Sequence, residues 1–495
     1  MERIIHMEVL AVIGLVDNLI SIYGSLDGLI RDFAGLADSS ADLRVRLEAE
    51  KVITLGLRDA LFDPENGTFR LLNQRAQLSI YDAFRQYSSQ FEDFLPLERR
   101  YRLTLQGESP SAPNIRDRMA WSVGQDKKKV LKLLEDFTFW NQKVEQILKV
   151  HLLTLNMPLE KKAAKLQTAP LKLLGMSNAI EALQAAETGY HGKTFRLPIS
   201  GLEDNGRLET LHTAKYNFRT VLVDSKIYDD AAAAGEMINQ LVAVLQQLSY
   251  TSANVPKCIG YIDRSDQGCF SLLFETQNSV SIRPNISTLY QMLPVNSQSS
   301  GPPLEQRLRL AYMLAFLLWQ FQAVSWVHKN VSSKGVVFVD QPGPDTIPAK
   351  VLFLGFEFAR PRDSLSSMSS STGAADNVYR HPMRWGLPTV KFQPIHDVYA
   401  LGVVLLEIGL WRRATSLIRT GVEAPEVVKE TLLTYATVRL RYCAGSNYSE
   451  IVLRCLEGEM IASDEVTPPQ GLTEPFYNTV IEPLGRLSRI FSSDG

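Results

Sequence analysis

Apolar side chains recur at alternating steps of four and three residues along the first part of the chain. They stand at Ile5, Val9, Val12, Val16, Leu19, Tyr23, Leu26, Ile30 and Phe33. This spacing keeps them on one stripe of a helix, because an α-helix completes a turn in about 3.6 residues. The pattern therefore predicts one long amphipathic helix at the start of the chain.

Three further apolar stripes follow the first. The second helix is expected to begin at the N-cap candidates Ser39 or Ser40 and to end near Phe62, before the turn-forming DPENG of residues 63–67. The third and fourth stripes are Ala76, Ile80, Ala83, Tyr87, Phe91 and Phe94, ended by Pro96, and Val130, Leu133, Phe137, Trp140, Val144, Ile147 and His151. Helices with one apolar stripe each bury those stripes against one another, which predicts a helical bundle over residues 1–155.

The chain changes character after these stripes. Residues 98–121 have no apolar period and are expected to form a long connection inside the bundle. Residues 156–190 are predicted to form a helical brace, in which Pro170 separates two short helical patterns. The sequence then becomes extended and rich in turn residues. We therefore place a second domain at residues 191–490, with the junction near residue 190.

Short apolar runs in the second half predict β-strands. FRTVLVDSK (218–226) is one such run, and VPKCIGYI and CFSLLFET lie within residues 255–276. The segment LAYMLAFLLWQFQAV (310–324) is apolar on nearly all sides, as a buried helix is, and HDVYALGVVLLEIGLW (396–411) is a second apolar helix. The second domain is therefore expected to mix strands and helices.

Composition restricts the function classes only loosely. The chain has 495 residues, with 52 basic and 54 acidic side chains, so its net charge gives no argument for a nucleic-acid partner. Its four cysteines show no metal-ligand or disulfide spacing, which favours reduced thiols in the cytoplasm. We find no signal peptide and no uninterrupted apolar window of about 18–20 residues, so a conventional membrane-spanning helix is not expected.

Candidate chemistry lies in two motifs of the second half. HKNVSSKGVVF (328–338) resembles the protein-kinase catalytic loop H-R-D-L-x-x-x-N, but Asn330 stands at the Asp position and Gly335 at the Asn position. VLFLGFEFAR (351–360) resembles the D-F-G segment, with Gly355 at the Asp position. An amide is a poor base and glycine offers no metal ligand. We therefore predict a bilobal α+β kinase-like domain that is catalytically inactive, a pseudokinase.

The same resemblance implies further roles for single residues. Asp397 is at the position that holds the backbone of the kinase catalytic loop, and Lys226 and Glu236 are the candidates for a vestigial ATP site. No G-x-G-x-x-G precedes the Lys226 strand, so no cofactor is predicted, although residual ATP binding without metal stays open. Glu357 is interpreted either as a metal ligand in an unusual geometry or as a surface or turn carboxylate.

The first 155 residues resemble the fungal HeLo and HeLo-like domains. The resemblance rests on a glycine-bearing apolar first helix followed by the charged segment LRVRLEAEKVITLGLRDALFD (43–63). It implies oligomerisation and membrane damage by the first helix. The residues expected to serve the membrane or the oligomer are Val9, Val12, Val16, Leu19, Gly24, Gly28, Lys127, Lys128 and Lys129. Alternatively, the glycines only accommodate neighbouring helices and the lysines form a solvated face.

A serine-rich segment, SLSSMSSSTG (364–373), occupies the place of a kinase activation loop. Phosphorylation by another enzyme would add about −1.5 to −2 charge per site. The candidate acceptors are Ser364, Ser366, Ser367, Ser369, Ser370, Ser371 and Thr372. A loop without any regulatory role is the alternative interpretation.

Together, the two regions resemble fungal proteins that join a HeLo-like bundle to a degenerate kinase-like domain. In architecture they are also similar to the mixed-lineage kinase domain-like effectors of necroptosis in animals. The resemblance implies a cell-death effector that is cytoplasmic until activated. Its expected partners are further copies of itself, anionic lipid and an unidentified upstream kinase or receptor. A non-catalytic signalling scaffold and an atypical protein kinase are the alternative hypotheses.

Overall fold

The computed structural model divides the chain into two compact units, residues 1–177 and 178–495. It describes residues 2–33, 38–90, 125–153, 155, 159–188, 194–203, 211–228, 230–251, 255–276, 285–294, 301–339, 346–347, 351–357, 374–385, 390–418, 424–460 and 472–490. The units divide inside the helix Met176–Thr188, whereas the sequence placed the junction near residue 190. The bracing role of residues 156–190 stays a prediction.

The described part of the first unit is helical. Its long helices are α1 (Glu2–Phe33), α2 (Asp38–Phe62), α3 (Gln74–Gln90) and α4 (Gln125–Leu153), followed by the shorter Leu159–Leu166 and Ala169–Leu173. α2 begins at Asp38, so Ser39 and Ser40 lie inside its first turn and the predicted cap was wrong. Pro170 also lies inside a helix, in the first turn of Ala169–Leu173, where the missing N–H of proline costs nothing.

The apolar stripe of α1 forms the centre of the bundle. Its described members are fully buried: Val12, Val16, Leu19, Tyr23, Leu26 and Ile30. Tyr23 stacks on Phe137 of α4 with ring centroids 4.2 Å apart, and Tyr87 of α3 meets the same ring edge-on at 5.4 Å. Aromatic contacts of this geometry add to the free energy of burial. The four-and-three spacing therefore predicted the buried face of α1 correctly.

The second unit combines antiparallel sheets with helices. Its larger sheet has the order β1-β2-β3-β5-β4, built from Leu202–Glu203, Leu211–Tyr216, Arg219–Ile227, Cys258–Arg264 and Cys269–Glu275 in chain order. The helix Ala231–Thr251 follows β3 and packs against β4. A smaller sheet has the order β6-β7-β8, from Ile286–Thr288, Val336–Val339 and Val351–Phe353. The three runs predicted as strands correspond to β3, β4 and β5, except that Phe218 belongs to a turn and residues 255–257 precede β4. The strands β1, β2, β6 and β7 were not predicted.

Helices make up most of the remainder of the second unit. Leu304–Ala323 packs against Pro394–Leu410, and both are largely buried, as their apolar sequences predicted. The other described helices are Leu289–Met292, Pro425–Tyr435, Arg441–Ala444, Ser446–Glu457, Thr473–Phe476 and Glu482–Ile490. Mixed helix and sheet architecture is thus confirmed for this unit.

Candidate functional site

Three segments of the second unit meet at Gly355: strand β3, the loop of residues 328–335 and the stretch 355–357 after β8. The Asn330 side chain donates to the Gly355 carbonyl oxygen at 2.8 Å, and the Gly355 N–H donates to Asp224 Oδ2 at 3.0 Å. Gly355 has φ +86°, a conformation that glycine adopts without steric cost. Side chains therefore hold the backbone of Gly355 at the position where the kinase comparison expects an aspartate.

Asp397 holds the 328–335 loop in place. Its two carboxylate oxygens accept hydrogen bonds from the backbone N–H groups of His328 (2.7 Å) and Lys329 (2.9 Å). This is the role that the resemblance implied for Asp397. Burial raises the pKa of Asp397 to about 7, although the two N–H donors oppose this shift. Lys329 has φ +65°, so the carboxylate stabilises a tight turn of the loop.

Lys226 pairs with Glu357, which corrects the predicted partner. Its Nζ lies 3.4 Å from Glu357 Oε2 and 3.5 Å from the Gly355 carbonyl oxygen, and the two side chains are only 12% and 9% exposed. Glu236 is instead exposed on the helix that follows β3. The interpretation of Glu357 as a surface carboxylate is therefore wrong. Its negative charge already compensates Lys226 from within the chain.

Asp224 is the charged member of this site that the sequence did not single out. It lies two residues before Lys226 on β3, so both side chains leave the same face of the strand. Burial raises the pKa of Asp224 to about 6, while the nearby Lys226 charge and the Gly355 N–H oppose the shift. Asp224 and Lys226 together therefore fasten residues 355–357 to the larger sheet.

His328 is part of the packing of the loop. Its ring centroid lies 4.5 Å from that of Phe353 and 4.3 Å from that of Phe356, and Phe356 also packs on Phe321. Burial and the positive charge of Lys226 lower the pKa of His328 to about 3. The ring is therefore neutral at physiological pH and acts as an aromatic side chain.

Gly335 is fixed by sterics. Any Cβ built on it would collide with the carbonyl oxygen of Leu354, whose own N–H donates to the Gly335 carbonyl oxygen at 2.8 Å. The asparagine that the kinase motif has at this position does not fit without a backbone shift. The path of the neighbouring chain thus requires glycine at this position.

A second buried network lies behind the same loop. Ser333 and Tyr379 share a hydrogen bond of 2.8 Å between their hydroxyl groups, and Tyr379 donates to Glu407 Oε1 at 2.8 Å. The same oxygen accepts from the backbone N–H of Ala414 at 2.8 Å. Burial raises the pKa of Glu407 to about 7. No local pattern in the sequence pointed to this network, because its members come from distant segments.

Metal chemistry has no assembled ligand set in the part of the chain that the structure describes. Within those residues, no group of three or more His, Cys, Asp or Glu side chains is placed to hold a metal ion. The expected absence of a cofactor stays a prediction. What the described geometry can do is fix the 328–335 and 355–357 backbones through buried charges.

The candidate residues of α1 divide between two faces. Val12, Val16 and Leu19 are fully buried in the bundle. Among the described residues, a Cβ added at Gly24 or Gly28 would meet no atom within 4 Å, so these glycines do not accommodate a described neighbour of α1. The side chain of Val9 lies outside the described residues. The glycine pair is thus available for close approach by another helix.

A polar network crosses the bundle core and joins all four long helices. Tyr23 hydroxyl lies 2.8 Å from Thr54 Oγ1 and 3.0 Å from the Tyr87 hydroxyl. Thr54 donates to Asn141 Oδ1 at 2.9 Å, and Asn141 donates to Glu50 Oε2 at 2.8 Å. Burial raises the pKa of Tyr23 to about 12. This network fixes the register of α1 against the other three long helices.

Two ion pairs add to the attachment of α1. Asp27 Oδ1 accepts from Arg44 Nε of α2 at 3.0 Å, and Asp17 Oδ1 lies 3.7 Å from Arg58 Nη1 of α2. Both pairs are partly exposed, so each contributes only about 0–1 kcal/mol. The apolar stripe and the polar network therefore carry most of the attachment.

One segment of α1 is long and apolar enough to cross a membrane. Residues Leu10–Gly28 have a mean hydropathy of 1.4, and 33% of this window is buried in the bundle. We had expected no conventional span, because the sequence has no uninterrupted apolar window of about 18–20 residues. The helix is long enough and apolar enough on average to cross a bilayer, although polar residues interrupt its apolar run.

The remaining predicted residues are only partly described. Lys128 is exposed at the start of α4, and the side chains of Lys127 and Lys129 lie outside the described residues. The whole serine-rich segment 364–373 and residues 98–121 also lie outside them. Their predicted roles therefore stay predictions.

A comparison with protein families gives a match over part of the second unit. The profile of a family described as a domain of unknown function (DUF7580) matches residues 265–485. The match begins directly after β4 and contains the 328–335 loop, residues 355–357 and Asp397, but not Asp224 or Lys226. No curated protein matches the chain.

Proposed function

We propose that this protein is a cell-death effector, in which a pseudokinase controls a helical bundle that oligomerises and permeabilises membranes. The observation that carries the proposal is α1. This helix contains a segment long enough to span a bilayer. At its Gly24 and Gly28, an added Cβ would meet no atom of the described residues within 4 Å. The mechanism requires the buried stripe of α1 to leave the bundle and enter lipid.

The second unit supports the regulatory half of the proposal. Its order of elements agrees with a kinase-like domain: the Lys226 strand, a helix, two strands, a buried helix and a loop held by Asp397. The residues at the three catalytic positions are Asn330, Gly335 and Gly355. Lys226, which would contact phosphates in a kinase, is compensated by Glu357. We therefore propose that this unit works by its conformation and transfers no phosphoryl group.

One observation favours a second candidate function. The described members of the α1 stripe are fully buried, as in the core helix of a stable domain, and a polar network holds the helix. A cytosolic scaffold that only binds proteins would have the same features. The two candidates differ in whether α1 ever leaves the bundle.

The decisive experiment replaces Gly24 and Gly28. The full chain is expressed in a host cell to score cell death, and the purified full chain is tested for dye release from vesicles of equal parts phosphatidylcholine and phosphatidylserine. Gly24→Leu with Gly28→Leu should fold normally, because no atom of the described residues lies within 4 Å of either added Cβ. The two leucines should nevertheless block close helix approach in an oligomer. We expect loss of both cell death and dye release.

The matched control is Gly14→Leu on the same helix, where an added Cβ also meets no atom of the described residues within 4 Å. It raises helix propensity in the same way but lies outside the Gly24–Gly28 pair. Cell death and dye release should persist in this variant. Absence of both cell death and dye release with the wild-type chain, at every concentration, would contradict permeabilisation and favour the scaffold. Phosphate transfer that disappears in Lys226→Ala would instead restore the kinase hypothesis.

A further inference from the structure

The turn between β2 and β3 holds an unusual residue. Tyr216 pairs with Arg219, so only Asn217 and Phe218 form the loop, and both have positive φ, +47° and +66°. A two-residue hairpin loop with positive φ at both positions is a type I′ turn, which favours Asn followed by Gly. Asn217 fits its position. Phe218 occupies the place of the glycine.

The side chain of Phe218 does little to offset the cost of this backbone conformation. Its side chain is 91% exposed, so it buries almost no apolar surface inside the protein. A bulky residue in the left-handed region costs about 1–2 kcal/mol, and glycine or asparagine would avoid most of this cost. The residue at this position is thus unfavourable both for the turn and for solvation. A contact outside the protein would explain both features.

The hairpin presents Phe218 on a fixed support. Six consecutive residue pairs join β2 to β3, and the Asn217 N–H donates to the Gly201 carbonyl oxygen at 3.0 Å. That bond ties the turn to the short helical segment Ile199–Gly201, in which Ile199 is 54% exposed. Two exposed apolar side chains are therefore held near one end of the sheet. We call residues 199–201 and 215–219 the hairpin tip.

Basic side chains flank the tip on both faces. Lys215 and Arg219 are exposed, and they lie on opposite faces of the hairpin because Arg219 is directly across from Tyr216. Glu203 of β1 is across from Lys215 and offsets its charge, whereas the residue across from Arg219 is the uncharged Tyr216. The charge of these residues is therefore net positive. An exposed aromatic ring between basic side chains matches the interface of an anionic bilayer.

We propose that the hairpin tip is a contact site for anionic lipid, with Phe218 entering the headgroup region and Arg219 and Lys215 meeting the phosphates. This inference rests on the proposed function, which brings the protein to a membrane. It assigns the second unit its own lipid contact, separate from α1. The unit is then held at the surface on which the bundle acts.

The test is co-sedimentation of the full chain with vesicles of equal parts phosphatidylcholine and phosphatidylserine. Phe218→Gly and Phe218→Asn should bind about tenfold more weakly than the wild type, the effect of withdrawing one large apolar side chain from the interface. Their unfolding temperatures should equal or exceed that of the wild type, because both residues suit positive φ. Weaker binding with undiminished stability is a result that a structural role cannot produce.

The matched control is Tyr442→Ala, which removes an equally exposed aromatic side chain elsewhere in the second unit and should leave vesicle binding unchanged. Equal binding by Phe218→Gly and the wild type overturns the inference, as does failure of the wild type to bind these vesicles. Dye release recorded on the same samples separates the two proposals. If the wild type releases dye but Phe218→Gly binds vesicles as well as the wild type does, only the lipid contact of the hairpin tip is contradicted. If Phe218→Gly binds more weakly but the wild type releases no dye, only permeabilisation is contradicted.

Discussion

Both units contain buried polar networks, but the side chains of the bundle network bind mainly other side chains, whereas those around the 328–335 loop bind backbone groups. In the bundle, Tyr23, Thr54 and Asn141 bind mainly one another across helices. Around the 328–335 loop of the second unit, Asp397, Asp224 and Asn330 instead bind backbone N–H and carbonyl groups. The Ser333–Tyr379–Glu407 network behind that loop joins side chains, as the bundle network does. The first kind of network fixes how helices sit together. The second kind fixes the path of the chain itself.

This difference has energetic consequences. A bond between two side chains can be replaced at both ends by apolar groups of the same shape at little cost. A side chain that satisfies buried backbone groups has no such replacement, because the backbone donor remains unpaired when the side chain is removed. The bundle network is thus suited to a contact that separates, and the network around the 328–335 loop to a framework that persists. This contrast supports the division of roles under the proposed function.

Asp397→Ala should have the largest effect. It leaves the buried N–H groups of His328 and Lys329 without an acceptor, at about 1–3 kcal/mol each. We expect the second unit to lose about 4 kcal/mol of stability, measured by hydrogen exchange resolved for each unit. The amides of the 328–335 loop should lose protection first. Glu426→Ala, which removes an exposed carboxylate, serves as control, and an equal loss there would contradict the assignment.

The sequence predicted the features that depend on local spacing. The stripe of α1 and the bond from Asp397 to the loop followed from periodicity and from one motif. The partner of Lys226 was wrong, because Glu357 lies 131 residues away and only the folded chain brings residues 355–357 to β3. A nearby glutamate, Glu236, was the natural candidate in sequence but faces solvent.

Phe218 shows a second limit of sequence interpretation. Aromatic residues favour strands, and FRTVLVDSK contains no glycine or proline to mark a turn. The strand was therefore predicted to include Phe218. The hairpin register decides otherwise, since β2 and β3 meet with only two residues between them. Side chains at functional positions often contradict local preference in this way.

Breaking the Lys226–Glu357 pair should have the next largest effect. Lys226→Met leaves Glu357 buried without its partner, which costs about 3 kcal/mol. The double variant Lys226→Met with Glu357→Leu removes both charges and should recover most of that loss. Urea denaturation, with hydrogen exchange to identify the unit that unfolds, measures both. Additive losses in the double variant would show that the two side chains do not interact.

The bundle network should be easier to replace. Thr54→Val removes a donor to Asn141 and should destabilise the first unit by about 1–2 kcal/mol. Tyr23→Phe removes the neighbouring hydroxyl. Combined, the two changes should cost clearly less than the sum of the single changes, because each removes a partner of the other. Fully additive losses, measured by hydrogen exchange of the first unit, would contradict the side-chain network.

The smallest expected effect is a dependence on pH in the second unit. Burial raises the pKa of Asp224 from 3.8 to about 6, so the folded state holds its proton longer than the unfolded state does. The contribution of Asp224 to the free energy of unfolding is fully present below its pKa in the unfolded state and is lost as the pH rises through its pKa in the folded state. The expected loss is about 1 kcal/mol between about pH 5 and about pH 6. Asp224→Asn keeps an acceptor for the Gly355 N–H and cannot titrate. The free energy of unfolding of Asp224→Asn minus that of the wild type should therefore increase over this interval. A difference that stays constant with pH would show that Asp224 is already ionised in the folded state below about pH 5.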